Sequence, residues 1–200
     1  KNTSFPTICV YEGGNLTVDD CDGAGEITRT TKNTNGSGVD VMKNSSFTLN
    51  GGAITGNGIN RNGSIYTIGG GVYASGSTFT MTGGKISGNK AFSGGGLYLI
   101  GSEAAISGGS ITGNDITANG GGVYNAYGTE SASTLKVSGS VQITGNTKDD
   151  TAANNIVSVS SDLLVDGKFD DSAMIGISTS RSLSSGESVV VAKKVDEGSK

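Results

Sequence analysis

The chain has 200 residues and a formal net charge of −4, with 35 glycines, one proline, no histidine and no tryptophan. An acidic chain without clustered Lys and Arg is not expected to bind nucleic acid, and the absence of histidine excludes Ser-His-Asp and Cys-His catalytic arrangements within it. No apolar run approaches the roughly 20 residues that a membrane span requires. We expect one domain over residues 1–200, excised from a longer protein, with no signal peptide at Lys1.

The first segment, residues 1–36, lacks the later repeats and is expected to form a degenerate coil or cap. Its inward strand positions are held by Leu16, Val18 and Ile27. Cys9 and Cys21 also lie in this segment, at a spacing that fits no metal motif. The sequence leaves two interpretations open, a disulfide or, for Cys21, a small buried apolar side chain.

Residues 37–161 repeat two phrases, which together make one structural unit. The first phrase occurs as GGAITGN, GGKISGN, GGSITGN and SVQITGN, beginning at Gly51, Gly83, Gly108 and Ser140. The second occurs as GGGVY, GGGLY and GGGVY, beginning at Gly69, Gly94 and Gly120. A repeated unit that cannot bury its own apolar face must stack on its neighbours. Each unit is expected to contain three short strands.

Alternation within these strands separates inward from outward positions. In the first strand the inward column is Val39, Val72, Leu97, Val123 and Ile156, and the outward column is Asp40, Tyr73, Tyr98, Tyr124 and Val157. In the second strand the inward columns are Phe47, Phe79, Ala104 and Leu135, and Leu49, Met81, Ile106 and Val137. In the third strand the inward column is Ile54, Ile86, Ile111 and Ile143. Like residues in register predict an all-β fold, a right-handed single-stranded parallel β-helix (solenoid) of about six coils.

Residues 162–200 complete the domain as a C-terminal coil or cap. A late coil is expected to run from Ile156 through Leu163, Val165 and Ile175, followed by a charged tail. Stacked strands expose unpaired edges at the ends of a rod, and such edges are normally covered or charged.

The linked pattern GGGVY, FTMTGGKISGN and NNIVSV resembles the surface β-helix repeats of large secreted proteins of Gram-positive gut Firmicutes. It is more loosely similar to the repeats of polymorphic outer-membrane proteins. The resemblance covers roughly residues 10–180. It implies a non-catalytic, adhesin-like extracellular rod at the bacterial cell surface, and some proteins of this class bind host glycoproteins or immunoglobulins. No binding motif transfers to individual positions, because the matched residues are structural.

The outward tyrosines Tyr73, Tyr98 and Tyr124 are the first candidate for a partner-binding site, with Asp40 at one end of the column and Val157 at the other. Exposed tyrosine is common where proteins meet proteins or sugars. The alternative is a tyrosine ladder that only covers the sheet.

The longest insertion, residues 58–68, supplies Arg61 and Tyr66 as further partner-binding candidates. Loops on rigid solenoids often carry function, although a tolerated insertion without a role explains the segment equally well. A shorter loop at residues 127–133, with Glu130, is a weaker candidate of the same kind.

Asparagines that close each first phrase are expected to stack and bond to the neighbouring coil rather than to line a site; they are Asn57, Asn89, Asn114 and Asn146. The aspartate pairs at residues 19–20, 149–150 and 170–171 lack the spacing of a calcium loop and are expected to form solvated turns. We therefore expect no metal and no cofactor.

These observations favour a non-catalytic binding module that recognises a host protein or glycan, with mucins and immunoglobulins as candidate partners, and that is monomeric as an isolated domain. One alternative is a purely structural stalk. The other is a polysaccharide-active enzyme, since several such enzymes use this fold. A glycosidase needs two facing carboxylates, whereas Asp40 is the single acid in its column.

Overall fold

The protein is a parallel β-helix, seen in a computed structural model that describes residues 5–29, 36–58, 67–129, 131–159, 163–178 and 192–194. Within these ranges the chain forms strands and turns and no helix. The repeated phrases stack coil upon coil, so the predicted fold class is confirmed.

The strands follow one another coil by coil along the chain. The first two coils contain β1 Ile8–Val10, β2 Asn15–Val18, β3 Glu26–Thr28, β4 Val39–Val41, β5 Ser46–Leu49 and β6 Ala53–Thr55. The next two contain β7 Val72–Ser75, β8 Thr78–Met81, β9 Lys85–Ser87, β10 Lys90–Ser93, β11 Leu97–Ile100, β12 Glu103–Ile106, β13 Ser110–Thr112 and β14 Asp115–Asn119. The last two contain β15 Val123–Ala126, β16 Thr134–Gly139, β17 Gln142–Thr144, β18 Thr147–Lys148, β19 Ala152–Ala153, β20 Ile156–Ser158, β21 Leu163–Phe169 and β22 Met174–Ile175. Beyond these coils, β23 Ala192–Lys194 stacks on β21.

The strands of the described ranges form four sheets that run along the rod. Sheet 1 has the order β1-β4-β7-β11-β15-β20, sheet 2 the order β2-β5-β8-β12-β16-β21-β23, sheet 3 the order β3-β6-β9-β13-β17-β22, and sheet 4 the order β10-β14-β18-β19. Six strands in sheet 1 correspond to the six coils that the repeats predict. The strands pair in parallel, apart from the antiparallel contact of β18 with β19.

The inward columns form a continuous apolar core because each strand pairs in register with the equivalent strand of the next coil. Ile54, for example, pairs with Ile86, which pairs with Ile111. All three side chains are fully buried. In sheet 2 the rings of Phe47 and Phe79 pack with centroids 5.6 Å apart. The predicted inward columns are confirmed by both register and burial.

Sheet 4 was not predicted, since three strands were expected in each unit. Its strands lie between the first phrase and the following glycines, where Ala91 pairs with Ile116 and both are buried. The register between β10 and β14 shifts between Ala91 and Ser93. Such an irregularity breaks the two-residue alternation by which strands are recognised in a sequence.

The phrase-ending asparagines form a buried ladder, as expected. The Oδ1 atom of Asn89 accepts hydrogen bonds from the backbone N–H of Asn57 at 2.9 Å and from its side-chain amide at 3.1 Å. The same pattern links Asn89 to Asn114 and Asn114 to Asn146. Each side-chain amide also donates to a carbonyl of a preceding strand, for instance Asn89 to Ile54 at 2.9 Å. The ladder is structural.

Both cysteines are unpaired and exposed. The disulfide is therefore not formed, and the interpretation of Cys21 as a buried apolar residue was wrong. Cys21 lies in a turn in which the Asp20 carboxylate accepts hydrogen bonds from the backbone N–H groups of Asp22 and Gly25. Turns in which an aspartate side chain bonds the backbone are typical of the protein surface, which is consistent with the exposure of Cys21.

Candidate binding surface

Three tyrosines from successive coils form an aromatic ladder on sheet 1. Tyr73 pairs in register with Tyr98, and Tyr98 pairs with Tyr124. The ring centroids are 5.8 Å apart in the first pair and 5.3 Å apart in the second, with the rings tilted by 38° and 50°. We call Tyr73, Tyr98 and Tyr124 the tyrosine strip. The predicted column is thus present as a continuous feature.

The tyrosine strip is half-buried, so it is less open than a fully exposed column would be. The pKa of Tyr98 is raised above its ordinary value, mainly because the side chain is partly buried. The neighbouring Tyr124 and Tyr73 have a smaller effect in the same direction. Tilted aromatic pairs at these separations stabilise a fold by about 0.5–1.5 kcal/mol each. The rings therefore hold one another in place while part of each remains accessible to a partner.

Glycines leave one flank of the tyrosine strip without side chains. A Cβ atom on Gly69, Gly94 or Gly120 would lie only 2.7, 2.6 or 2.5 Å from the Cβ of the tyrosine four residues later. All three glycines also have a positive φ, a backbone conformation that residues other than glycine rarely adopt. The first glycine of each GGG phrase is thus required by the close approach of its backbone to the strip.

Asp40 lies at the N-terminal end of the strip, paired in register with Tyr73 on one side and with Cys9 on the other. The carboxyl group is half-buried and accepts a hydrogen bond from the Ser37 hydroxyl. Burial raises the pKa of Asp40, against the lowering effects of this hydrogen bond and of the Arg29 charge. The pKa of the Cys9 thiol is also raised, first by partial burial of the thiol and second by the negative charge of Asp40.

The raised pKa of Asp40 predicts a pH-dependent gain in stability for Asp40→Asn. Because the folded state binds the proton more tightly than the unfolded state, the carboxyl lowers stability as pH rises from about 3.9 through the folded pKa. Asparagine cannot ionise, so we expect the variant to be more stable than the wild type at neutral pH. The difference should shrink as pH falls through the folded pKa of Asp40 and should disappear below about pH 4. Urea unfolding from about pH 3 to pH 7 measures it.

The exposed Asp166 supplies the control, since Asp166→Asn removes the same charge from a solvated position. We expect this variant to follow the wild type across the pH range. An Asp40→Asn protein less stable than the wild type at neutral pH would show that the Ser37 hydrogen bond and the Arg29 charge outweigh burial.

The other end of the outward column differs from the prediction. Val157 pairs with Tyr124 in register but is only 5% exposed, so the expectation that it forms an accessible rim was wrong. In the last coil the chain returns beside β20, where Ile156 forms a parallel bridge with Ile177. The accessible part of the column therefore runs from Asp40 to Tyr124.

Arg61 and Tyr66 of the insertion lie outside the described residues, as does Glu130 of the shorter loop. The two ends of the insertion are described, and both attach to β10. Gly58 forms a parallel bridge with Lys90, and Ile68 forms one with Ser93. These bridges place Thr67 and Ile68 close to the first tyrosine of the strip.

A cleft opens between the end of the insertion and the N-terminal end of the strip. It has a volume of about 240 Å³, and its lining includes Pro6, Ser37, Asp40, Thr67, Ile68 and Tyr73. We call it the Asp40 cleft. Sequence reasoning identified Asp40 and Tyr73 and included Thr67 and Ile68 in the candidate insertion, but it missed Pro6 and Ser37, for which the sequence offered no signal.

A second cleft of about 220 Å³ lies at the turns between sheets 1 and 2 and includes Lys43, Ile100 and Thr129 in its lining. None of the described residues that line it is aromatic or acidic. Across the described parts of the chain, no three His, Cys, Asp or Glu side chains gather in a way that could hold a metal ion.

Comparisons with protein-family models, with curated proteins and with solved structures find no match to this chain. No helix in the described ranges is long and apolar enough to cross a membrane. A function for this protein is therefore inferred from the geometry of the tyrosine strip and the Asp40 cleft.

Proposed function

We propose that this protein is a non-catalytic binding module of an extracellular bacterial surface protein, and that it binds a host protein or glycoprotein through the tyrosine strip. The observation that carries the proposal is the continuous ladder of three half-buried tyrosines on one rigid sheet. The resemblance of the repeats to surface β-helix proteins supports the cell-surface location and makes mucins and immunoglobulins the first partners to test.

Rigidity favours the tyrosine strip as a binding surface. Each ring is fixed by the sheet register and by the neighbouring ring, so little side-chain entropy remains to be lost when a partner binds. Tyrosine also offers a large contact area together with a polar hydroxyl. A preorganised ladder is therefore better suited to recognition than the same residues on a mobile loop.

The size of the tyrosine strip indicates how far the contact must extend. Three strands at about 4.8 Å spacing give a strip of roughly 10 Å, whereas a stable protein interface buries about 800 Å² on each partner. The strip would then be the centre of a larger footprint, with Asp40 and its cleft at one border. Hot-spot residues are typically aromatic and central in this way.

Binding rather than catalysis is supported by the composition of the Asp40 cleft. Asp40 supplies the one carboxyl group among the described residues that line it. Glycoside hydrolysis ordinarily uses two carboxyl groups separated by roughly 5–9.5 Å. The arrangement can accept hydrogen bonds from a ligand without the second group that would cleave it.

Substituting the tyrosine strip tests the proposed function. The wild type is first screened against host mucins, matrix proteins and immunoglobulins by surface plasmon resonance. For a partner found in this way, we expect Tyr98→Ser to weaken binding at least tenfold, and the triple Tyr→Ser variant at least about a hundredfold. Each lost ring contact also costs about 1 kcal/mol of stability, so circular dichroism must show that the variants are folded.

The matched control replaces Lys85 and Gln142, outward residues of sheet 3, by serine. This double variant should bind the partner as the wild type does. Binding that survives in a folded Tyr98→Ser protein, together with a loss of stability, would show that the ladder is structural and would refute the proposal.

A further inference from the structure

We propose that the Asp40 cleft is a subsite for one neutral sugar residue at the end of a glycan, held by Asp40 and Thr67 and packed against Tyr73. The inference rests on the proposed function and deepens it, because it names the chemical class that the surface recognises beside the tyrosine strip. Four features of the cleft support it: the buried, unpaired hydroxyl of Thr67, the free acceptor positions of Asp40, the apolar walls, and the volume.

Thr67 supplies the first observation. Its side chain is 6% exposed, and its Oγ1 atom has no hydrogen-bond partner in the structure. Buried polar atoms are nearly always paired, and an unpaired one costs free energy that a bound group can recover. The oxygen itself is closed to solvent, but because Thr67 lines the cleft, a rotation about its χ1 would turn the hydroxyl toward a ligand hydroxyl, which would supply that partner.

Asp40 supplies a second polar group on the same cleft. A carboxylate can accept about four hydrogen bonds, and Ser37 occupies one of these positions. The remaining positions can accept two neighbouring hydroxyl groups of a sugar. Hydrogen bonds to an ionised acceptor are about twice as strong as neutral ones, so this contact would be the main polar anchor.

The other walls of the cleft are apolar. Pro6, Ile68 and the ring of Tyr73 line it together with the two polar groups. A sugar ring has the same division, with hydroxyl groups around its edge and C–H groups on its faces. Aromatic rings with an accessible surface bind such amphipathic groups well. The combination distinguishes a sugar from a purely apolar side chain, which would leave Asp40 and Thr67 unsatisfied.

Size and charge narrow the ligand further. A volume of about 240 Å³ is below the roughly 300–1,000 Å³ of sites for drug-sized ligands. It suits one ring rather than a length of polysaccharide chain. The Asp40 carboxylate would repel an acidic sugar at close range, and the Arg29 charge offsets only part of this repulsion. A neutral terminal sugar therefore fits better than a sialic or uronic acid.

The test titrates the wild-type protein with neutral monosaccharides, N-acetylated monosaccharides, sialic acid and glucuronic acid, followed by NMR. We expect at least one neutral sugar to bind with a millimolar dissociation constant and the acidic sugars to bind more weakly. Thr67→Val should weaken that sugar about fivefold, and Asp40→Asn should weaken it at least tenfold.

Stability separates a ligand contact from a structural one. Thr67→Val removes an unpaired buried hydroxyl with little change of shape, so the variant should be at least as stable as the wild type while binding the sugar less well. Thr129→Val, at the second cleft, is the matched control and should leave sugar affinity unchanged. Loss of stability in Thr67→Val with sugar affinity intact would overturn the subsite.

Two further outcomes overturn the subsite while leaving the proposed function in place. One is a wild type that binds its macromolecular partner through the tyrosine strip but binds no monosaccharide. The other is a sugar whose affinity falls as strongly in Tyr124→Ser as in Thr67→Val, because that sugar would lie on the strip. Tighter binding of an acidic sugar than of every neutral one would refute the predicted ligand class.

Discussion

Replacing Asn114 by alanine is expected to lower the free energy of unfolding by about 4 kcal/mol. The side chain is fully buried and makes four hydrogen bonds. Its Oδ1 atom accepts from the backbone N–H and the side-chain amide of Asn89, both at 3.0 Å. Its Nδ2 atom donates to the Ile86 carbonyl and to Oδ1 of Asn146, both at 2.9 Å.

The cost is large because alanine leaves partners of Asn114 buried and unpaired on both neighbouring coils. A buried donor or acceptor that loses its partner costs about 1–3 kcal/mol. Some bonds survive, since Asn89 still donates to the Ile54 carbonyl and Asn146 still accepts from the backbone N–H of residue 114. Urea unfolding monitored by circular dichroism measures the difference.

Asn50→Ala is the matched control for this prediction. Asn50 also bridges two coils, donating to Asp19 at 2.8 Å and accepting from the Thr82 hydroxyl at 2.6 Å. Its side chain is exposed, so water can replace both partners and the loss should stay below about 1 kcal/mol. Equal losses at Asn50 and Asn114 would show that burial of the ladder is not what makes it stabilising.

Replacing Gly96 by alanine is expected to cost about 3 kcal/mol, although the change adds only one methyl group. A Cβ atom at this position would lie 2.6 Å from the carbonyl oxygen of Gly122 and 2.6 Å from Cγ2 of Ile111. It would also lie 3.0 Å from Nδ2 of Asn114. The methyl group must therefore push the next coil away, displace a core isoleucine and disturb the asparagine ladder together.

Gly113→Ala distinguishes two causes of destabilisation by alanine, namely lack of space for the methyl group and an unfavourable backbone conformation. Gly113 has a φ of 65°, but a Cβ atom there would meet nothing within 4 Å. Alanine should cost about 1 kcal/mol through the left-handed conformation alone. If Gly113→Ala proved as destabilising as Gly96→Ala, the close approach of the coils at the GGG phrases would not be the limiting contact. Denaturant unfolding of both variants distinguishes these results.

The two substitutions explain why the repeated phrases specify architecture. The third glycine of a GGG phrase meets the isoleucine of the phrase that follows it and the asparagine three residues after that isoleucine, and this arrangement occurs in successive coils. Gly71, for instance, faces Cγ2 of Ile86 and Nδ2 of Asn89, as Gly96 faces Ile111 and Asn114. The function proposed here therefore depends on positions that this packing leaves free, above all Tyr98 in the outward column.

The sequence by itself determined the fold, the inward columns and the tyrosine column. In a parallel stack the same position of each repeat lies directly above the last, so a recurring Ile or Tyr in the sequence becomes a column in space. The register of Tyr73 with Tyr98 and the burial of Ile111 follow from this rule.

Only the tertiary structure decided which outward positions remain accessible and what lies beside them. Val157 fits the outward column yet is buried, and β10 and β14 add a fourth sheet whose irregular register hides its alternation. The Asp40 cleft joins Pro6 to Thr67, which are far apart in the chain and belong to no repeat. The repeats of the sequence predict the columns of side chains, because these recur in every coil. The Asp40 cleft, in contrast, lies where the first coils meet the insertion, and its contacts occur only once in the chain.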